Sequence, residues 1–229
     1  MLTKYLVKDT MLISFYTQVV TLLIGLTALL VKLPNNMLIL REVLILENLA
    51  QLIEGSFYMW FLFFDKVNVD VVDITKFRYY DWFLSTPIML ISMIAYFQYN
   101  NTKNNLINLN LVNLIKSNYN NIAKILTYNF GMLLTGYLYE INLSNVFTTF
   151  IIGFIFFILL FLQLYINFAI KSKKNTIIFF LMLIIWSLYG FAILFNYKVK
   201  NALYNILDLF SKNFYGLFLS YLIFTPLEI

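Results

Sequence analysis

Seven apolar stretches, each near the length that crosses a bilayer, occupy almost all of this chain. A spanning helix needs about 20 mostly apolar residues. The stretches fall at residues 10–33, 38–64, 76–98, 119–140, 144–170, 175–197 and 201–227, here named helices A to G. They predict an all-α bundle of seven transmembrane helices forming one domain over residues 1–229. Polar separators divide them: DKVNVDVVD after B, NTKNN after C, KSKKN after E and NYKVK after F. The stretch Leu106–Ser117 reads either as a surface amphipathic segment or as an early start to D. A soluble fold is excluded by composition. The chain is 62% hydrophobic and 12% charged, against about 45–50% and about 25% in soluble domains.

The residues that are missing exclude several chemistries. There is no cysteine and no histidine. Disulfides, thiol catalysis, thiolate or imidazole metal sites and a histidine pH switch are therefore out of reach. No phosphate-binding or zinc-type spacing occurs, no internal repeat is visible, and no enzyme is expected. The formal charge of +5 is not a nucleic-acid footprint. Lys32, Arg41, Lys103, Lys116, Lys171, Lys173 and Lys174 fall on the A–B, C–D and E–F connections, opposed only by Glu42. Asp9, Asp65, Asp70, Asp73 and Glu140 fall on the other side. The positive-inside rule then predicts the N-terminus outside. The first stretch lacks a small-residue cleavage site and is read as a retained helix.

Ionisable groups inside a bilayer cost several kcal/mol unless they pair or face a wet cavity. Six lie well inside the spans: Glu47 and Glu54 on B, Arg78 and Asp81 on C, and Asp208 and Lys212 on G. Asp208 and Lys212, four apart, share one helix face, as do Arg78 and Asp81, three apart. The four balance in charge. Either they form a structural ion-pair cluster, or Lys212 carries a covalent cofactor and the aspartates are its counter-ions.

Sequence context favours the second reading. The run Arg78-Tyr79-Tyr80-Asp81-Trp82-Phe83-Leu84-Ser85-Thr86-Pro87 resembles the third-helix signature of microbial (type 1) rhodopsins. Leu207-Asp208-Leu209-Phe210-Ser211-Lys212 resembles their retinal-lysine motif, and Trp186-Ser187-Leu188-Tyr189 resembles the aromatic wall of their retinal site. Helix D adds Asn129 and Met132-Leu133-Leu134-Thr135-Gly136. The resemblance implies all-trans-retinal as a Schiff base on Lys212, Asp81 as primary counter-ion and proton acceptor, and Asp208 as second counter-ion. It implies Arg78 on the outer side of Asp81, with Ser85 or Thr86 hydrogen-bonding near that aspartate. Trp82 and Trp186 would sandwich the polyene, Asn129, Met132 and Gly136 would add to the pocket, and Tyr189 would bond toward Asp208. Two departures stand out: Gly190 where pumps of this family carry proline, and Trp60 where a tyrosine would approach the second counter-ion.

The family includes pumps, channels and sensors. Efficient proton pumps of the family place a carboxylate eleven residues after the acceptor, and here that residue is Ser92. Asp81, Ser85 or Thr86, and Ser92 thus resemble the DTS type seen in viral and some bacterial sequences. Eight residues before Asp208, where a release glutamate is typical, stands Lys200, expected near the interface. Glu47 and Glu54 are seven apart, about 10 Å along one face of B, with Gln51 between them. Carboxylates lining a pore favour cations. Glu47 reads alternatively as snorkelling to the interface. Ser14, Glu54 and Asn213 resemble the helix A, B and G trio of channel-type rhodopsins, with Asn205 a second helix-G candidate. The helix-B glutamates also resemble group 1 viral rhodopsins of large algal viruses. The expectation is a light-gated cation channel, with an outward proton pump and then a sensory photoreceptor as alternatives. Its partners are the lipid bilayer and cations or protons, with a homo-oligomer left open. A viral source would put it in a host cell membrane.

Overall fold

The computed structural model describes residues 2–64, 71–102 and 109–225. Asp65, Asp70 and Lys103, which bear on the charge asymmetry, lie outside the described residues. The helices are α1 (Leu2–Ala28), α2 (Leu38–Met59), α3 (Val71–Thr102), α4 (Leu111–Ser117) and α5 (Tyr119–Glu140). Then come α6 (Val146–Leu164), α7 (Lys173–Ala192), α8 (Tyr197–Asp208) and α9 (Phe214–Phe224). No strand occurs among the described residues. π-helical turns continue α2 over Trp60–Phe64 and α6 over Tyr165–Ala169. A third, Leu209–Asn213, joins α8 to α9 into one rod. Among the described residues seven long rods result, as expected from the seven apolar stretches.

Their ends differ in instructive ways. Helix D runs over the expected 119–140. Helix A begins at Leu2 rather than 10 and ends at Ala28 rather than 33, before Pro34. Helix C extends over 71–102, longer than its apolar core, because a helix does not stop where hydrophobicity does. Of the uncertain segment Leu106–Ser117, residues 106–108 lie outside the described residues, and Leu111–Ser117 forms the short helix α4, separate from α5. Asn110 caps α4 by accepting from the backbone N–H of Val112 at 2.9 Å. Asn145 and Asn196 cap α6 and α8 in the same way, the expected chemistry for asparagine at an N-cap. Asn142 turns the chain between α5 and α6 at φ 60°, a left-handed conformation that asparagine tolerates.

The rods close into a ring. Contacts run α1–α2–α3–α5–α6–α7–α8 and back to α1. Large apolar side chains such as Leu23, Ile158, Leu181 and Ile184 stay exposed outside, as expected where lipid replaces water. Among the described residues, Leu6–Ala28, Val146–Ala169 and Lys173–Ala192 are the helices long and apolar enough by themselves to cross a membrane. The other rods carry polar residues, and these turn inward: Glu47, Asn48, Gln51 and Glu54 of α2 and Asn201, Asn205 and Asp208 of α8 are all buried. The bundle is therefore apolar at its rim and polar along an interior seam.

Candidate functional site

The inward polar faces of α2 and α8 follow helical periodicity. Glu47, Gln51, Glu54 and Tyr58 are spaced four, three and four apart, as are Asn201, Asn205, Asp208 and Lys212. That spacing puts each set on one stripe. The π-turn at Leu209–Asn213 lies where this stripe reaches Lys212. A wider turn re-aims side chains and is frequent at functional sites. Lys212 is buried at mid-bundle.

Three carboxylates surround its amine. Glu54 Oε1 lies 3.0 Å from Lys212 Nζ, Asp81 Oδ2 3.2 Å and Asp208 Oδ1 4.0 Å. Asp208 is held by other donors as well. Tyr58 donates to its Oδ2 at 2.6 Å and Tyr189 to its Oδ1 at 2.7 Å, while Arg78 Nη1 stands 3.5 Å away. Arg78 in turn donates to Asn201 Oδ1 at 3.0 Å and to Asn205 Oδ1. Asn205 donates to Thr10 Oγ1 at 2.9 Å and to the Val7 carbonyl at 3.1 Å. The result is a tightly cross-linked plug reaching the bundle end where α1 starts. Ser85 lies beside Asp81. Thr86 points elsewhere, donating to the Trp82 carbonyl and accepting from Asn129 Nδ2, both at 2.8 Å.

On its other side Lys212 faces an apolar cavity with about 840 Å³ of empty space, partly open to the surroundings. Trp82, Thr86, Met132, Gly136, Trp186 and Tyr189 line it, as do Phe150, Phe154 and Phe157 of α6. Gly136 leaves room for the Tyr79 hydroxyl, which a Cβ would overlap. A Cβ at Gly153 would meet nothing within 4 Å. This apolar space, walled by two tryptophans and reaching a buried amine flanked by carboxylates, suits a long conjugated aldehyde condensed on that amine.

Several expectations change. Asn129 does not line the cavity and instead positions Thr86. Trp60 is 40% exposed and packs on Phe77. The helix-B tyrosine on Asp208 is Tyr58, one turn past Glu54, a signal the spacing carried. Glu47 does not snorkel: it is 0% exposed. Lys200, in the first turn of α8, is paired and buried against Glu140, Nζ to Oε1 2.6 Å, with Tyr139 and Tyr197 rings around it.

Ser14, Glu54 and Asn213 do not hydrogen-bond to one another. Gln18 donates to Glu54 Oε2, and Thr21 donates to Asn213 Oδ1 at 2.8 Å. Ser14, Gln18 and Thr21 continue the buried stripe on α1 at helical spacing, and this was missed beyond Ser14. Asn205 belongs to the Arg78 plug, away from Asn213. Beyond Glu54, away from Arg78, the seam continues through Gln51, Asn48 and Glu47, with Ser92 and Tyr215 facing Glu47. Gln51 and Asn48 occupy the space over Gly216 and Gly25.

A model of the bacteriorhodopsin-like protein family matches residues 9–226. Among solved structures, the viral rhodopsin OLPVRII is 26% identical with a TM-score of 0.84, covering 98% of this chain and 100% of its own. Exiguobacterium sibiricum rhodopsin is 16% identical with a TM-score of 0.72, covering 98% of both chains. Halorhodopsin, a light-driven chloride pump, is 14% identical with a TM-score of 0.72, covering 96% of both. No curated protein sequence matches significantly. The chain thus belongs to the bacteriorhodopsin-like family of microbial rhodopsins, integral membrane proteins that bind retinal as a Schiff base on a lysine.

Proposed function

We propose that this rhodopsin is a light-gated cation channel, with retinal on Lys212 and the N-terminus outside. Retinal supplies the light-driven change of shape. The protein's own residues do the rest. Trp82 and Trp186 hold the polyene's course, and Asp81 and Asp208 answer the positive charge at Lys212. The conducting seam runs between α1, α2, α3 and α9.

One observation carries this reading. Buried polar atoms without a protein hydrogen-bond partner concentrate on that seam: Ser14 Oγ, both carboxylate oxygens of Glu47, both amide atoms of Asn48, Gln51 Nε2, Ser92 Oγ and Asn213 Nδ2. Buried polar groups without partners are costly, and water satisfies them where the site is polar and roomy. Such a seam is a route for hydrated cations, selected by Glu47. It lies to the α1–α2 side of Lys212, so ions need not pass through the lysine itself. The Arg78 plug closes its outer end in this state. When the charge at Lys212 moves, Asp81 and Glu54 lose the attraction that holds α2 and α3 against α8.

A photocurrent–voltage curve in a retinal-supplied cell tests this. A current whose reversal potential follows the cation gradient is expected. A current that stays outward at every potential, carried by protons, would replace the channel with a pump. One observation favours that second reading: Glu47 faces Ser92, so a carboxylate from α2 stands where the family's pumps supply a proton from the third helix.

A further inference from the structure

The channel and pump readings both leave Glu54 as part of an ion route, yet its position is closer to the lysine than either aspartate. We propose that Glu54 is a direct counter-ion of the Lys212 nitrogen, sharing that role with Asp81 and ranking above Asp208. The proposal rests on the assignment of retinal to Lys212 and does not depend on how ions cross.

Distances give the first argument. Glu54 Oε1 and Asp81 Oδ2 lie 3.0 and 3.2 Å from Nζ, and Asp208 Oδ1 lies at 4.0 Å. At one dielectric, Coulomb attraction at 4.0 Å is about three quarters of that at 3.0 Å. Competition gives the second. Asp208 already accepts from Tyr58 and Tyr189 and pairs with Arg78. Glu54 has no arginine. Its Oε2 accepts from the neutral Gln18 amide, and its Oε1 lies 3.0 Å from the lysine, which is its one cationic ion-pair partner among the described residues, with the Asp208 carboxylate also beside it. A fully buried carboxylate with one neutral donor and one cation depends on that cation far more than Asp208 does. Geometry gives the third. Asp81 comes from α3 and Glu54 from α2, so the nitrogen is pulled from two helices, and Gln18 of α1 fixes the glutamate's carboxyl plane. Glu54 thereby ties the state of the lysine to the α1–α2 seam. The motifs of the third and seventh helices do not include this position, and its resemblance to channel-type rhodopsins points to an ion path rather than to a partner of the lysine.

The test is the dark absorption maximum of the full chain loaded with all-trans-retinal. An anion beside a protonated nitrogen stabilises the positive charge where it is localised, in the ground state, more than in the delocalised excited state. Its removal lowers the transition energy. Glu54→Gln is expected to shift the maximum to the red by an amount of the same order as Asp81→Asn. Gln18→Leu, which keeps the carboxylate but frees it, is expected to shift it less. Glu54→Asp, which withdraws the carboxylate by one methylene, serves if Glu54→Gln fails to take up retinal, and is expected to give a smaller red shift. An unchanged maximum in Glu54→Gln, or in Glu54→Asp where that variant must serve, while Asp81→Asn shifts, would overturn the proposal alone. A visible band that survives in Lys212→Ala would overturn the lysine assignment and the proposal with it.

Discussion

The seam through this bundle has two unlike halves meeting at Lys212. Toward the end where α1 and α8 begin, Arg78, Tyr58, Asn201, Asn205 and Asp208 form a network in which each group has two or more partners. Toward the other end, Glu47, Asn48, Gln51 and Ser92 are equally buried yet leave polar atoms unpaired. Burial alone does not separate them. What differs is hydrogen-bond supply. The first half contains an arginine with five donors in a planar fork and two tyrosines. The second contains a carboxylate, amides and hydroxyls, with no buried cation beyond Lys212 among the described residues. A saturated half resists rearrangement, and in the proposed channel it would be the closed gate. An unsaturated half offers polar atoms for water to satisfy and can change its bonding at little cost.

The largest test of the saturated half is Glu140→Ala. It strands Lys200, 1% exposed, without its carboxylate. Breaking a buried pair from one side typically costs about 3–5 kcal/mol, so a clear drop in the thermal midpoint of the detergent-solubilised protein is expected. The double variant Glu140→Leu with Lys200→Leu should recover most of it, because removing both charges leaves none stranded. A single variant within about 1 kcal/mol of the parent would mean that Lys200 reaches water, and this half would not be a dry seal.

A smaller contrast comes from two glycines. An alanine at Gly136 would drive its Cβ into the Tyr79 hydroxyl, and at Gly25 into the Asn48 amide. Tyr79 is packed edge-on to Trp82 with ring centroids 4.9 Å apart and cannot shift freely. Gly136→Ala should cost about 1–3 kcal/mol, the usual range for overpacking. Asn48 makes no side-chain hydrogen bond to protein that a displacement would break. Gly25→Ala should therefore cost less, by the same unfolding measurement. Equal costs would remove the distinction between a fixed half and an adaptable one.

Much of this was legible in the sequence. Seven rods followed from apolar length, and the Arg78, Asp81, Asp208 and Lys212 set followed from charges that a bilayer does not tolerate unpaired. Pairing between helices was less legible. Nothing in the spacing of α5 and α8 says that Glu140 meets Lys200, because the contact is between residues 60 apart in the chain. The same holds for Gln18 on Glu54 and Thr21 on Asn213. Tyr58 was within reach of a sequence reading, being one turn beyond Glu54 on the same stripe, whereas Trp60 faces outward. The ends of D and E fell close to the sequence reading, whereas the starts of A and C escaped it, because those helices run on past their apolar stretches.

The smallest effect on stability comes from Glu47→Leu, which separates stability from function most sharply. Glu47 is fully buried, and neither carboxylate oxygen has a hydrogen-bond partner among the described residues. Leucine has a similar volume and no desolvation penalty to meet. Replacing a poorly satisfied buried polar group by an apolar one of like shape is near neutral or stabilising. The thermal midpoint should therefore hold or rise, by at most about 1 kcal/mol in stability. The photocurrent should fall to a small residue, because the seam loses its carboxylate between Gln51 and the α9 end. Lys212 keeps its three nearer carboxylates, so the absorption maximum should move little. Should the protein instead lose about 1 kcal/mol or more, Glu47 would have partners worth keeping, from ordered water or Ser92. The half around Glu47 would then be as saturated as the half around Arg78, and in the proposed channel the gate would have to be sought at both ends.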